Sequence, residues 1–367
     1  MSLSVGIVGL PNVGKSTLFN ALSSKQAEAA NYAFCTIEPN VGVVPVPDRR
    51  FDALCQVVEP ESSVPASVDF VDIAGLVRGA SRGEGKGNAF LTNIRECDAI
   101  AHVVRCFEDD NILHVDNRVS PAADVETIHT ELILKDLETV QKRLDKARRA
   151  AKSNDATEKA YVGLCEKLEK LLDAGKRASL FTPDSDDESK LLRDLGLITQ
   201  KPLFFVCNVK EDQLATADSD PLVAQVRKIA DEEGAKVVVI CAAIEAEIMQ
   251  LPVAERKDFL DSVGLKEPGL NQVIQTGYAL LNLITYFTAG KKEVRCWTIT
   301  RGTKAPGAAG KIHSDFERGF IRAEVTHWED RVALKTEAAC RAAAKTTTEG
   351  KEYVVKDGDV MFFKFNV

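Results

Sequence analysis

The sequence predicts an α/β protein: a mostly parallel sheet flanked by helices, interrupted by a helical insertion and followed by a smaller α+β domain. Three observations carry this expectation. Short β-rich apolar runs at 4–8, 68–71, 99–104, 203–207 and 236–241 are each followed by polar or Gly-containing sequence and then helical periodicity, the pattern of βαβ units. Between the third and fourth runs, 125–193 has no strand signal. After the turn at Pro268 and Gly269, a helix over 270–285 leads into strand-like runs at 294–300, 319–325, 352–355 and 360–365, separated by Gly and Asp turns. A length of 367 residues, against about 150 per domain, fits two to three domains. The expected division is 1–124 with 194–280, an insertion over 125–193, and a C-terminal domain over 281–365.

Within the insertion, Leu137, Val140, Leu144, Ala147 and Ala151 recur three and four apart, and Tyr161, Leu164, Leu168 and Leu171 repeat the pattern after a breaker at Ser153 to Asp155. Two antiparallel helices packed as a short coiled coil account for both. Lys142, Arg143, Lys146, Arg148, Arg149 and Lys152 fall on the polar face, which reads as a solvated helix surface before it reads as an RNA or protein contact. Thr182, Pro183, Asp184, Ser185, Asp186 and Asp187 predict an acidic loop closing the insertion.

Composition narrows the function classes. Hydrophobic residues make up 45% and charged residues 28%, which is globular, and no run reaches the roughly 18 apolar residues of a membrane span. A cytoplasmic protein without a signal peptide is expected. The nine cysteines are scattered without a CxxC pair, several inside apolar runs, which favours reduced buried thiols over disulfides or zinc. A net charge of −8 argues against a chain that coats nucleic acid non-specifically. From residue 290 onward, however, 15 Lys and Arg stand against 11 Asp and Glu, so a local RNA contact stays open.

The first strand runs into Gly9-Leu10-Pro11-Asn12-Val13-Gly14-Lys15-Ser16, a GxxxxGK[ST] loop, and then into a helix beginning near Thr17. In such a loop the backbone N–H groups of Asn12, Val13, Gly14, Lys15, Ser16 and Thr17 turn toward phosphate, Lys15 reaches the terminal phosphates, and the Ser16 hydroxyl ligates Mg²⁺. Two further elements follow in the order a switch NTPase needs. Thr36 can close onto Mg²⁺ and the γ-phosphate, and Asp72, ending a strand in Asp72-Ile73-Ala74-Gly75, can hold Mg²⁺ through water. The Gly-rich segment 79–87 reads as a mobile switch loop.

At the end of the fourth run stands Asn208-Val209-Lys210-Glu211, where a guanine-specific enzyme carries Asn-Lys-x-Asp. That Asp accepts from guanine N1–H and its 2-amino group, whereas adenine lacks the amino group and its N1 is itself an acceptor. Glu211 misplaces the acceptor and Val209 removes the Lys stem, so ATP is favoured over GTP. The competing reading has Asn208 only bracing the phosphate loop, with Lys210 and Asp212 serving one residue out of step. Cys241, Ala242 and Ala243 are positioned to lie beside the base. Leu76 follows Gly75 where many GTPases carry the water-orienting Gln, so hydrolysis is slow or uses another group. The candidates are a monovalent cation near Asn12, Arg78, Arg82, Arg95, or His114 in the polar loop after the third strand.

The blocks GLPNVGKSTLFNAL, TIEPN, DIAGLVRGASRGEGKGN, NVKE, YFTAGKKEVRCWTI, GKIHSDFERGFIRAEV and KDGDVMFFKFNV together resemble the YchF family of Obg-related P-loop NTPases across essentially the whole chain. The resemblance implies a cytoplasmic ATPase that associates with ribosomes and carries a coiled-coil insertion and a C-terminal TGS domain of β-grasp fold. It implies Mg²⁺ at Ser16 and Thr36, adenine against Val209, potassium near Asn12 and a catalytic part for His114. The Ala- and Thr-rich stretch 333–348 departs from the family pattern. A GTP-dependent ribosome assembly factor of ordinary Obg type and a nucleotide-stabilised binding protein with negligible turnover are the alternatives.

Overall fold

The computed structural model describes residues 3–28, 40–73, 87–115, 118–153 and 155–366. The first strands are β1 (Ser4–Val8), β2 (Val41–Pro45), β3 (Ser62–Val64), β4 (Ser67–Asp72), β5 (Ala99–Arg105), β6 (Leu203–Asn208) and β7 (Lys236–Ile240). Six of them form one sheet in the order β2-β4-β1-β5-β6-β7. The pairs β1 with β4, β1 with β5, β5 with β6 and β6 with β7 are parallel. Asn40 bonds opposite Asp72 and Val46 opposite Ala66, so β2 runs antiparallel to β4. Every residue of β5 and β6 is buried, as expected of central strands covered on both faces. Each expected run of this sheet is a strand within a residue or two, because these runs are β-branched and end at polar or Gly residues.

Helices α1 (Lys15–Glu28), α2 (Arg49–Val58) and α3 (Gly87–Glu96) precede the long helix α4 (Pro121–Ala150). After a short turn at Ala151–Ser153, α5 (Ala156–Asp173) returns along it. Gln141 bonds Glu169 while Arg148 bonds Glu166, so the partner number falls as the other rises and the pair is antiparallel. Val140, Leu144, Leu164, Cys165 and Leu168 form its seam. Leu172, four residues on from Leu168, is buried, whereas the expected Leu171, three residues on, is only half-buried. The expected acidic loop stops early: α6 (Asp186–Asp194) begins inside it, with the Ser185 hydroxyl capping Glu188 N–H and three acidic residues in the first turn. That is a helix start, stabilised by the helix dipole.

The insertion is not a free-standing body. The first half of α4 buries Val125, Ile128 and Leu132 together with the His129 ring, which lies 5.7 Å from His102 on β5 and 6.1 Å from Phe205 on β6. His102 is almost fully buried, and burial, with lesser contributions from His129, Arg177 and Lys15, holds its imidazole well below the ordinary range. A group whose folded pKa is depressed contributes stability above its unfolded value, about 6.5, and loses it as pH falls below that value. The urea midpoint of the wild type is therefore expected to decline more steeply between about pH 6.5 and 5.5 than that of His102→Leu, with the gap approaching about 1.4 kcal/mol per pH unit. Parallel pH profiles for the two proteins would contradict this.

The C-terminal strands are β8 (Leu283–Ala289), β9 (Glu293–Thr300), β10 (Phe320–His327), β11 (Thr346–Glu349) and β12 (Asp359–Phe365), in a second sheet of order β11-β10-β12-β8-β9-β3. The central order β9-β8-β12-β10, with β8 and β12 parallel and the helix Ala305–Ile312 laid on one face, is the β-grasp arrangement. Ala305, Ala308 and Ala309 let that helix approach Ile284, Tyr286, Val325 and Phe363 closely. Three expectations need correction. The helix expected over 270–285 ends at Leu280, where Asn282 adopts a left-handed φ of 53°, and β8 follows. Residues 352–355 contribute only an isolated bridge between Val354 and Lys304. The unfamiliar stretch 333–348 holds the short helix Glu337–Ala342 and the start of β11, an edge strand on β10.

Two compact units emerge, one holding Met1–Ser24 and Asp69–Gly277, the other Val43–Val68 and Tyr278–Val367. The expected division assigned all of 1–124 to the first domain. Val43–Val68 belongs instead with the C-terminal unit, for a reason local patterning does not reveal. The α2 face of Phe51, Leu54 and Val58 is buried there, and β3 pairs in parallel with β9. Arg50 joins Asp48 at 2.7 Å and Asp357 at 2.9 Å, and its guanidinium lies 5.6 Å from the Phe287 ring.

Candidate nucleotide site

The loop between β1 and α1 is shaped by close approaches. A Cβ on Gly9 would lie 2.4 Å from the Val103 carbonyl oxygen, and one on Gly14, at φ +99°, would lie 2.3 Å from Asn208 Nδ2. Only glycine fits either place. Asn12 takes a left-handed φ of 61°, which asparagine tolerates. The first turn of α1 thus presents its N–H groups to the space above the loop, a ready anion site. Lys15 is buried; its Nζ donates to the Leu10 carbonyl at 2.6 Å, and burial pushes its amine down to about 8 against the opposing pull of Asp72. Asp72 closes β4. Burial raises its carboxyl despite Lys15, and among the described residues its buried Oδ1 has no hydrogen-bond partner. An unpartnered carboxylate oxygen and the Ser16 hydroxyl beside a phosphate loop fit the oxygen-donor preference of Mg²⁺.

A cavity of about 460 Å³ opens above this loop, lined by Asn12, Gly14, Lys15, Ser16 and Thr17 at one end and by Asn208, Val209, Glu211, Cys241 and Ala242 at the other. Val13 is buried beneath the loop, and its carbonyl accepts from Asn208 Nδ2 at 3.0 Å while Asn208 Oδ1 accepts from Ala242 N–H at 2.9 Å. Both ends of the Asn208 amide are therefore spent on bracing the loop to the segment after β7. Val209 is buried and donates its N–H to the Ile240 carbonyl. Glu211 lines the cavity and Asp212 does not, while the Lys210 Nζ stands 3.6 Å from Asp109. The one-residue shift that would recreate Lys and Asp for guanine does not bring Asp212 to the cavity.

Other candidates fall elsewhere. His114 is buried, with Nε2 3.0 Å from Asp124 Oδ2 in the first turn of α4, and it lines a separate shallow depression with Arg105 and Arg118 rather than the cavity. Arg95 donates to Thr139 on α4 and stands apart from the cavity. Asn12 donates through Nδ2 to the Leu113 carbonyl at 3.1 Å, tying the phosphate loop to the segment after β5. Thr36, Gly75, Leu76, Arg78, Arg82 and residues 79–86 of the expected switch loop lie outside the described residues.

Sequence reasoning missed Phe107, Asp109 and Ile112, which line the cavity from the segment after β5. Nothing in their local pattern marks them; only the parallel register that sets β5 beside β6 brings them to Asn208. All cysteines among the described residues are free thiols, and all but Cys55 are buried. No helix among the described residues is long and apolar enough to cross a membrane.

Known proteins resemble the chain over its whole length. Residues 4–141 match the family described as 50S ribosome-binding GTPase, and residues 283–366 match YchF-GTPase_C, described as a protein of unknown function (DUF933). The chain is 54% identical to the "Ribosome-binding ATPase YchF" of Escherichia coli O157:H7 and 52% identical to that of Bacillus subtilis (strain 168), with both chains covered completely in each case. It also resembles a solved structure, that of the Schizosaccharomyces pombe YchF GTPase, with a TM-score of 0.88 and 40% identity over 99% of this chain and 98% of that one.

Proposed function

The chain belongs to the YchF family, and on that premise we propose that it is a slow, Mg²⁺-dependent ATP-hydrolysing switch that works in the cytoplasm in association with the ribosome. The observation that carries the choice of base is the fate of Asn208-Val209-Lys210-Glu211. The asparagine amide is consumed by the phosphate loop, Val209 has no stem to cover a guanine, and no aspartate reaches the cavity from this segment. Glu211 lines the cavity but is one methylene longer than the aspartate that accepts from guanine N1–H and its 2-amino group, so that acceptor is displaced. Adenine makes no such demand.

Ser16 and Asp72 are the described residues that would hold Mg²⁺, and Thr36, outside the described residues, is the third ligand of the reading. A bound Mg²⁺ would supply charge neutralisation to the triphosphate. Lys15 binds and orients the same phosphates, and the first N–H groups of α1 cradle them. Asn12 is the residue beside which a potassium ion is expected. Large-subunit or RNA contacts by the helical arm and the C-terminal unit complete the reading, supported by the local excess of Lys and Arg beyond residue 290.

His114 is our candidate for the attacking water, beside Arg78, Arg82 and a monovalent cation near Asn12, since Leu76 cannot orient one. The Asp124 carboxylate fixes its ring, and reaching the phosphates requires the His114 side chain to leave Asp124. His114→Ala is expected to lower kcat by about 10²-fold while the ATP Kd changes less than about twofold. Phosphate release from ATP, with and without potassium and ribosomes, tests the whole proposal. Stimulated turnover is expected. No turnover under any of these conditions would leave a nucleotide-stabilised binding protein instead, and unchanged kcat in the variant would remove His114 from the chemistry.

A further inference from the structure

We propose that Arg105 is a positioning residue for the purine, setting the wall of the cavity without touching the nucleotide. This rests on the reading of the cavity as a nucleotide site. Arg105 is the last residue of β5 and is only 1% exposed. A guanidinium so far from water is tolerated only when its donors are satisfied. Among the described residues its hydrogen-bond partners are backbone carbonyls drawn from one loop: Nε donates to Phe107 O at 3.0 Å, Nη2 to Asp109 O at 3.1 Å and Nη1 to Ile112 O at 2.9 Å. The guanidinium carbon also lies 4.7 Å from the centre of the Phe107 ring.

The fork therefore fixes the loop at three separate points, and those same residues, Phe107, Asp109 and Ile112, line the cavity. Their place is the base end. Cys106 N–H donates to the Asn208 carbonyl at 2.8 Å, so Phe107 follows directly on the residue paired with the segment that faces the purine. One residue beyond Ile112, the Leu113 carbonyl holds Asn12 of the phosphate loop. Arg105 itself faces the other side, in the depression it shares with His114 and Arg118. Lysine cannot reproduce this role, because one ammonium on a flexible stem does not span three carbonyls in a plane.

The test compares ATP with inorganic tripolyphosphate, which engages the phosphate loop but has no base. Calorimetric Kd values for both, with Mg²⁺, are measured on the full chain for wild type, Arg105→Met and Arg105→Lys, beside thermal melts of each. Arg105→Met is expected to weaken ATP about tenfold while leaving tripolyphosphate within about twofold, so that the base contributes less to affinity. Arg105→Lys keeps charge and bulk, and it decides the matter if the methionine variant does not fold; it is expected to lose about threefold or more for ATP alone. Parallel weakening of both ligands, or no change in their ratio, would overturn the proposal. A wild type that binds neither ligand would instead defeat the underlying nucleotide reading, whereas normal wild-type binding with an unchanged ratio in the variants would defeat only the role of Arg105.

Discussion

Lys15→Ala is expected to raise the ATP Kd by at least about 10²-fold, roughly 3 kcal/mol, while the protein stays folded. The Lys15 Nζ is buried at the phosphate end of the cavity, and burial holds its amine down at about 8, so the free pocket already stores an unfavourable ammonium. A triphosphate supplies the counter-charges that relieve this, and alanine removes both the charge and the hydrogen bonds it would make. The structural loss is one hydrogen bond to the Leu10 carbonyl, about 1 kcal/mol. Calorimetry with ATP, alongside far-UV circular dichroism and urea unfolding, separates the two effects. Unchanged ATP affinity would show that the loop after β1 is not the phosphate site.

Asp136→Ala is expected to lower stability by about 3 kcal/mol or more, the largest effect anticipated outside the nucleotide cavity. Asp136 sits on α4 with no exposed surface, and its carboxylate gathers donors from the segment that leads out of the insertion. Oδ1 accepts from Ile198 N–H at 2.8 Å, and Oδ2 accepts from Thr199 N–H at 2.7 Å and the Thr199 hydroxyl at 2.6 Å. Burial pushes the carboxyl up, and these donors pull it back toward the ionised form. Alanine leaves all three donors buried and unpaired. Asp136→Asn keeps the size and one acceptor and should fall between the two. Urea midpoints measure the loss, and a change below about 1 kcal/mol would mean that water or a neighbour readily replaces the carboxylate.

Much of the fold was legible in the chain because local and tertiary signals agree there. The strands of the parallel sheet are apolar runs buried on both faces, and the phosphate loop carries its own glycine geometry at Gly9 and Gly14. The helical hairpin followed from three-and-four spacing, with a slip only at Leu171. What failed was context. At 283–289 the run Leu283, Ile284, Thr285, Tyr286 and Phe287 follows a helix without an obvious stop, and only the left-handed Asn282 breaks it. Asp186 and Asp187 fall in the expected loop because acidic residues suit both a loop and a helix N-terminus, and the Ser185 cap decides for the helix. The grouping of Val43–Val68 with the C-terminal unit goes with burial of the α2 face and the pairing of β3 with β9, contacts between residues far apart in the chain.

At the site, the chemistry of single residues was readable and their partnerships were not. Lys15, Ser16 and Asp72 declare themselves through motif and position. Asn208 matched a base-reading motif, yet its amide serves the phosphate loop, the alternative that the motif alone left open. The polar loop around His114 gives no hint of its partner, Asp124, ten residues on, beside which the ring is buried. Arg105 and Phe107 carry no signal at all, since an arginine closing an apolar strand reads as surface until its carbonyl partners are seen.

The central claim is that this cavity takes a triphosphate whose purine is not selected by a carboxylate on the guanine edge. Competitive calorimetry of ATP and GTP on the wild-type chain with Mg²⁺ tests it most directly. Tighter binding of ATP, or at most equal affinity, is the predicted result; GTP bound about tenfold more tightly than ATP would contradict it.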